Sequence, residues 1–254
     1  MTGRLLSKVG WLVLVLFLRP TWAEPPLYEL RVYTCEPGKL DALHARFREH
    51  TLRLFEKHGM KNVAYWVPSE GEGAGATLIY LLQHASREAA QASWAAFRAD
   101  PEWQAVAAQS EREHGKILAK PPESTYLVAT DYSPPIGPVD PTKTYELRVY
   151  VARPGKLDAL HARFREHTDQ LFTRHGMKSV GYWVPLDEPK SKTTLIYVLQ
   201  HESREAARNS WRAFGADPDW QAARAASEQD GPLLAERPQA TFLRVVDYSP
   251  PPAP

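Results

Sequence analysis

The sequence predicts an α+β fold built from two tandem β-α-β-β-α-β units. Three observations predict it: a long internal repeat, strand-like and helix-like patterns alternating inside each repeat, and turn residues at the joints. The segment PGKLDALHARFREHT occupies Pro37–Thr51 and recurs unchanged at Pro154–Thr168. YELRVY at Tyr28–Tyr33 returns at Tyr145–Tyr150, HGMK at His58–Lys61 at His175–Lys178, and DYSPP at Asp131–Pro135 at Asp247–Pro251. The offset is 117 until the second long helix ends and 116 afterwards, so one residue was lost there. Such a period exceeds that of solenoid repeats and matches a small domain.

The elements follow in order. Leu27–Thr34 is rich in β-branched and aromatic residues and reads as a strand. Pro37-Gly38 is turn chemistry, and the pattern predicts a helix from about Leu40 to Lys57, stopped by Gly59. Val63–Val67 is a second strand, broken by Pro68. The loop Ser69–Ala76 leads to a third strand, Thr77–Gln83. Ser86 is a candidate N-cap for a helix over Arg87–Arg98. Asp100-Pro101 restarts a helix, with Asp as cap and Pro at the first helical position, running to about Glu113. Thr125–Thr130 is the last strand. This order is the ferredoxin-like unit, a four-stranded antiparallel sheet with helices on one face. One unit leaves its other sheet face bare, and two can cover those faces against each other as a barrel-like pair. The duplication therefore predicts an intramolecular pseudo-dimer, with further homo-oligomers open.

The ends and the middle set the domain bounds. Arg4 and Lys8 precede an apolar run from Val9 to Leu18, and Thr21-Trp22-Ala23 places small residues where a signal peptidase reads. The run is short for a bilayer span, so residues 1–23 are expected to be a cleavable secretory signal, with a secreted or periplasmic location. An uncleaved N-terminal anchor is the alternative. Residues 24–133 and 144–250 form the two domains, and the proline-rich stretch 134–143 is a stiff linker. Losing Arg4, Lys8 and Arg19 takes the formal charge from +1 to −2. No basic stripe is present, so nucleic acid is not an expected partner. Cys35 is the lone cysteine, and the matching position in the second copy is Ala152, so no internal disulfide can form. It reads as a small residue at a strand end, with an intermolecular bridge as the other option.

Tyr-Glu-Leu-Arg-x-Tyr, a Pro-Gly turn, a long helix ending in His-Gly, a Trp-containing strand and an Asp-Pro-x-Trp helix start together resemble the NIPSNAP domain, over residues 27–133 and 144–249. The resemblance implies a dimeric α+β barrel, a fold shared with small monooxygenases and haem-degrading enzymes. It implies no agreed set of catalytic residues. Eukaryotic members are mitochondrial proteins linked to vesicle traffic and autophagy signalling; the signal-like segment and tandem arrangement depart from them.

Chemistry is sought on the repeated helix and the first strand. On a helical wheel, Leu40, Leu43, Phe47, Thr51, Leu54 and Phe55 form the buried stripe. His44, and by repetition His161, lie within it and His50 sits at its margin; His58 falls near its centre but at the helix end before Gly59, where it is expected to contribute to the cap. His44 and His161 are candidates for a base, a haem ligand or a substrate hydrogen-bond partner. The competing reading is a core histidine satisfied by its neighbours. His44 and His50 are too far apart around the helix to chelate one ion, so no metal site is expected. On the first strand, alternation separates Tyr28, Leu30 and Val32 from Glu29, Arg31 and Tyr33. If the apolar set packs on the helices, then Glu29, Arg31 and Tyr33 meet Glu146, Arg148 and Tyr150 between the sheets. They would pair there, or line a polar cavity that holds a carboxylate-bearing ligand, with Trp66 and Trp183 as aromatic walls. Trp103 and Trp220 are expected to anchor the restarted helices. Two functions stand open. One is an exported NIPSNAP domain pair without cofactor that binds a small molecule or a protein partner. The other is a monooxygenase-like or haem-binding enzyme.

Overall fold

The computed structural model describes residues 25–251, so the signal-like segment lies outside the described residues. Eight strands form it: β1 Leu27–Thr34, β2 Lys61–Pro68, β3 Thr77–His84, β4 Glu123–Ala129, β5 Thr144–Val151, β6 Lys178–Pro185, β7 Thr194–His201 and β8 Gln239–Val245. They close into one antiparallel barrel in the order β1-β3-β2-β8-β5-β7-β6-β4. Each copy contributes four consecutive strands, and the seams are short: Trp66 to Pro68 pair with Val245 to Leu243, and Leu127 to Ala129 with Pro185 to Trp183. Closure leaves no strand edge exposed along the barrel wall.

The barrel interior holds Tyr28, Leu81, Leu127, Tyr145, Leu147, Trp66 and Trp183, with Leu30 and Val32 packed against them. The helices cover the outside through two separate clusters, around Phe47, Phe55 and Tyr80 in the first copy and Phe164, Phe172 and Tyr197 in the second. This corrects the expected faces of the first strands. Tyr28, Leu30 and Val32 point into the barrel, while Glu29, Arg31 and Tyr33, with Glu146, Arg148 and Tyr150, point at their own helices. The reason is partner supply. The barrel interior is lined by apolar strand side chains, whereas the helix layer brings indole N–H donors to a buried carboxylate.

The repeated helix spans residues 40–57 and contains a π-helical turn at Phe47–Thr51, mirrored at Phe164–Thr168. The Thr51 hydroxyl donates to the Arg46 carbonyl at 3.0 Å, and Thr168 does the same to Arg163 at 3.1 Å. His58 is the C-cap of the first copy's long helix, and its Nε2 lies 2.7 Å from Asp100, the N-cap of the Pro101–His114 helix. His175 and Asp217 repeat the contact at 2.7 Å. Trp103 stacks on Phe97 with ring centroids 4.4 Å apart, the anchor the sequence suggested.

The segment between the copies does more than connect them. Val139 is buried in the barrel cluster with Ile136 beside it, and the Tyr145 hydroxyl accepts from the Asp140 N–H at 2.8 Å while donating to its carbonyl at 3.1 Å. Ile136 also crowds Gly181, the counterpart of Ala64. A methyl group on Gly181 would lie 2.4 Å from the Trp183 ring. Gly181→Ala is therefore expected to cost about 1–3 kcal/mol in urea unfolding, although the other copy carries alanine there.

Candidate functional site

Each copy of the Asp-Tyr-Ser motif crosses to the opposite copy and clasps its long helix. Arg48 grips Asp247 with two nitrogens at 2.8 and 3.2 Å, and Arg165 grips Asp131 at 2.7 and 2.8 Å. The Tyr248 hydroxyl lies 2.8 Å from His44 Nδ1, and that of Tyr132 lies 2.8 Å from His161 Nδ1. The Ser249 hydroxyl accepts from the Tyr65 N–H, and Ser133 from that of Tyr182, both at 3.1 Å. His44 and His161 are thus half-buried, each held through one ring nitrogen by a tyrosine from the other copy. Burial pushes both imidazoles below their ordinary pKa, so both are neutral at pH 7.

Beside His44 opens a cleft of about 520 Å³, walled by Leu40, Asp41 and Arg48 of the first copy and Arg244, Val246 and Asp247 of the second. It is a composite site: neither copy forms it alone. His44 Nε2 makes no hydrogen bond among the described residues, and the ring lines this cleft. Arg244 is exposed there with no ion pair among the described residues, and its charge helps hold the His44 pKa down. The twin location differs in chemistry. Val128 stands where Arg244 would be, Thr130 replaces Val246, and Lys192 replaces Gly75 on the rim. Repetition of the helix hides this difference, because the distinguishing residues sit on the last strand and the variable loop.

The other candidates form a separate structure. Glu29 is 1% exposed and accepts from Arg31 at 2.7 Å, His84 at 2.9 Å, Trp94 at 2.7 Å and Ser124 at 2.6 Å. Arg31 lies over the Trp94 ring at 4.2 Å. Glu146 repeats this with Arg148 at 2.6 Å, His201 at 3.0 Å and Trp211 at 2.7 Å. The ion pairs run along one strand within each copy rather than between copies. Burial raises the Glu29 pKa, but the His84 hydrogen bond, the Arg31 charge and the other donors outweigh it and hold the carboxyl at about 2. Glu146 is lowered in the same way. Tyr33 packs edge-on against Phe47 at 5.7 Å. The residues lining the His44 cleft include none of Arg31, Tyr33, Arg148 or Tyr150. Trp66 and Trp183 are buried inside the barrel, each edging a tyrosine of the other copy, Tyr145 at 6.1 Å and Tyr28 at 6.0 Å. His84 and His201, which close the carboxylate networks, were missed because they stand at strand ends without a motif. The repeated Gln-His before the helix N-cap was their one signal.

The polar wall bears on a haem. The cleft offers Leu40 and Val246 as apolar side chains against Asp41, Arg48, Arg244 and Asp247, and His44 already spends one nitrogen on Tyr248. These residues do not fit a porphyrin face. Among the described residues no cluster of three or more His, Cys, Asp or Glu is placed to hold a metal ion. No helix there is long and apolar enough to cross a membrane.

A closed α+β barrel of two matched halves, with a cleft at their joint, defines the protein class: a tandem relative of the dimeric α+β barrels. The NIPSNAP family model matches residues 28–134 and 145–250, and the chain belongs to that family. No curated protein matches it. Among solved structures, a monooxygenase candidate from Lactobacillus acidophilus NCFM is similar, with TM-score 0.53, 12% identity, and 87% of this chain and 94% of that one covered. An anthrone oxidase-like protein gives TM-score 0.53 and 16% identity over 88% and 92%. A NIPSNAP-like domain protein from Burkholderia xenovorans gives TM-score 0.38 and 18% identity, covering 45% of this chain and 94% of that one.

The Glu29 carboxyl lies below its ordinary value of 4.5, so its contribution to stability is complete above that pH and lost as pH falls towards about 2. Urea midpoints measured across this window should fall steeply in the wild type and less steeply in Glu29→Gln. Tyr248→Ala removes a largely buried ring and its His44 contact, and should cost about 2 kcal/mol in the same assay.

Proposed function

We propose that this chain is an exported small-molecule-binding NIPSNAP pair whose ligand sits in the composite cleft beside His44. One observation carries the reading: a roomy, solvent-connected cleft joins Arg244, which has no ion pair among the described residues, to a neutral histidine whose Nε2 makes no hydrogen bond among them. The ligand class follows from the walls. A carboxylate suits Arg244, a hydroxyl suits His44 Nε2, and a short apolar body suits Leu40 and Val246. A 2-hydroxy acid such as mandelate combines them and needs no cofactor. The finer architecture accords with the function. The strand orders β4-β1-β3-β2 and β8-β5-β7-β6 support two ferredoxin-like units acting as an intramolecular dimer.

By calorimetry, mandelate should bind the wild type, and Arg244→Val, which copies Val128, should weaken it by about tenfold or more. His161→Ala should leave binding unchanged. Equal affinity in wild type and Arg244→Val would sink the assignment. The export reading rests on the Arg4–Ala23 pattern, and N-terminal sequencing of secreted protein should begin at Glu24.

A second reading is favoured by the neutral His44. With Nδ1–H donated to Tyr248, Nε2 presents a lone pair to the cleft and can take a proton from an acidic phenol-like substrate. The monooxygenase and anthrone oxidase-like neighbours suggest the substrate type. Oxygen consumption with an anthrone, abolished by His44→Ala, is the outcome expected of that reading.

A further inference from the structure

A different cleft, of about 330 Å³, opens on the other side of the same long helix, between Arg46, Glu111 and the stretch from Lys116 to Pro122. Its chemistry comes from the one-residue loss that separates the two copies. In the second copy the helix ends at Ser227, so Glu228 folds back and meets Arg163 at 3.1 Å, with Ser227 at 3.2 Å from the same nitrogen. The first copy retains the corresponding Ser110 and Glu111, but its helix continues to His114 and keeps Glu111 in helical conformation. Arg46 therefore makes no hydrogen bond or ion pair among the described residues, and its Nε is buried without a partner. The guanidinium lies 5.5 Å over the Trp103 ring. The Nε of Arg163 is also unpartnered, so the difference between the copies lies in the outer nitrogens.

The half-buried Arg46 guanidinium faces this cleft with the Glu111 charge nearby but no hydrogen bond to it, and burial lowers its pKa against the pull of that charge. The walls narrow the choice of counter-ion. Lys116 already pairs with Glu36 at 3.3 Å, and Lys120 pairs with Glu123. With both lysines paired, the Arg46 guanidinium is the cation left to meet an anionic ligand, with the Glu111 carboxylate on the same wall. Leu118, Pro121 and Pro122 supply apolar sides, and Ile117 lies at the buried end. We propose that the Arg46 cleft is a second binding seat, specific to the first copy, for a monocarboxylate with a compact apolar body. A multiply charged phosphate lacks both the donors and the second free cation there.

The test uses the full chain with benzoate and inorganic phosphate as probes, followed by calorimetry and by methyl NMR of Ile117 and Leu118. Benzoate should bind and shift both methyl signals. Arg46→Met should weaken that binding by about tenfold or more, as expected for loss of a charge-assisted contact. Arg46→Lys, which keeps charge but loses the fork, should also weaken it and serves if the methionine variant does not fold. Arg163→Met and Arg244→Val should leave the methyl shifts unchanged, which separates this seat from the His44 cleft. Three results overturn the proposal: no methyl shift with benzoate, shifts of equal affinity in both Arg46 variants, or phosphate binding as tightly as benzoate. A fourth is destabilisation by Glu111→Gln as large as that by Arg46→Met, which would show that Glu111 fills the role in solution.

Discussion

Everything in this molecule depends on closing the barrel. A four-stranded sheet with helices on one face has a second face to bury and two edges to pair. Copying the unit within one chain meets both needs, because β2 joins β8 and β4 joins β6 while the bare faces fuse into one interior. The seams are only three residue pairs long. The crossed Asp-Tyr-Ser clasps add to the joint, tying the end of each copy to the long helix of the other.

That joint is also where function gathers. The clasp stations a tyrosine against one nitrogen of His44 and leaves the other facing a cleft made by both copies. Strong chemistry elsewhere is spent on architecture. The Glu29 and Glu146 networks saturate their carboxylates with donors from strand and helix, which keeps charges tolerable in the helix layer. An Arg-Glu-Tyr constellation on a strand could be an ion pair or a ligand cradle in one dimension. In three it holds a helix onto a sheet.

The two halves are alike in sequence and unlike in opportunity. Val128 against Arg244, Lys192 against Gly75, and one residue lost after Glu228 are small edits. Each alters a surface the helix repeat cannot report. Packing tells the same story at Gly181, where Ile136 and the Trp183 ring occupy the space a methyl group would need, while its counterpart Ala64 carries one.

Much of the fold was legible in the residues. Pro-Gly turns, Ser86 and Asp100 caps and periodic apolar positions place nearly every strand and helix, because those signals act over a few neighbouring residues. That both copies would share one barrel was legible too, since a duplicated amphipathic unit must bury its second sheet face. The half-buried place of His44 could be read from the regular first turns of its helix, and that of His58 at the helix end from the Gly59 that follows it. Alternation on the first strand separated two faces but could not say which one met the helices. That choice depends on partners distant in sequence: Trp94 and His84 for Glu29, and Trp183 for Tyr28. The sequence by itself determined the units, their number and their need for each other. Only the tertiary structure decided which face became the interior and which arginines were left unpaired, because both depend on contacts that cross from one copy to the other or on where a helix stops.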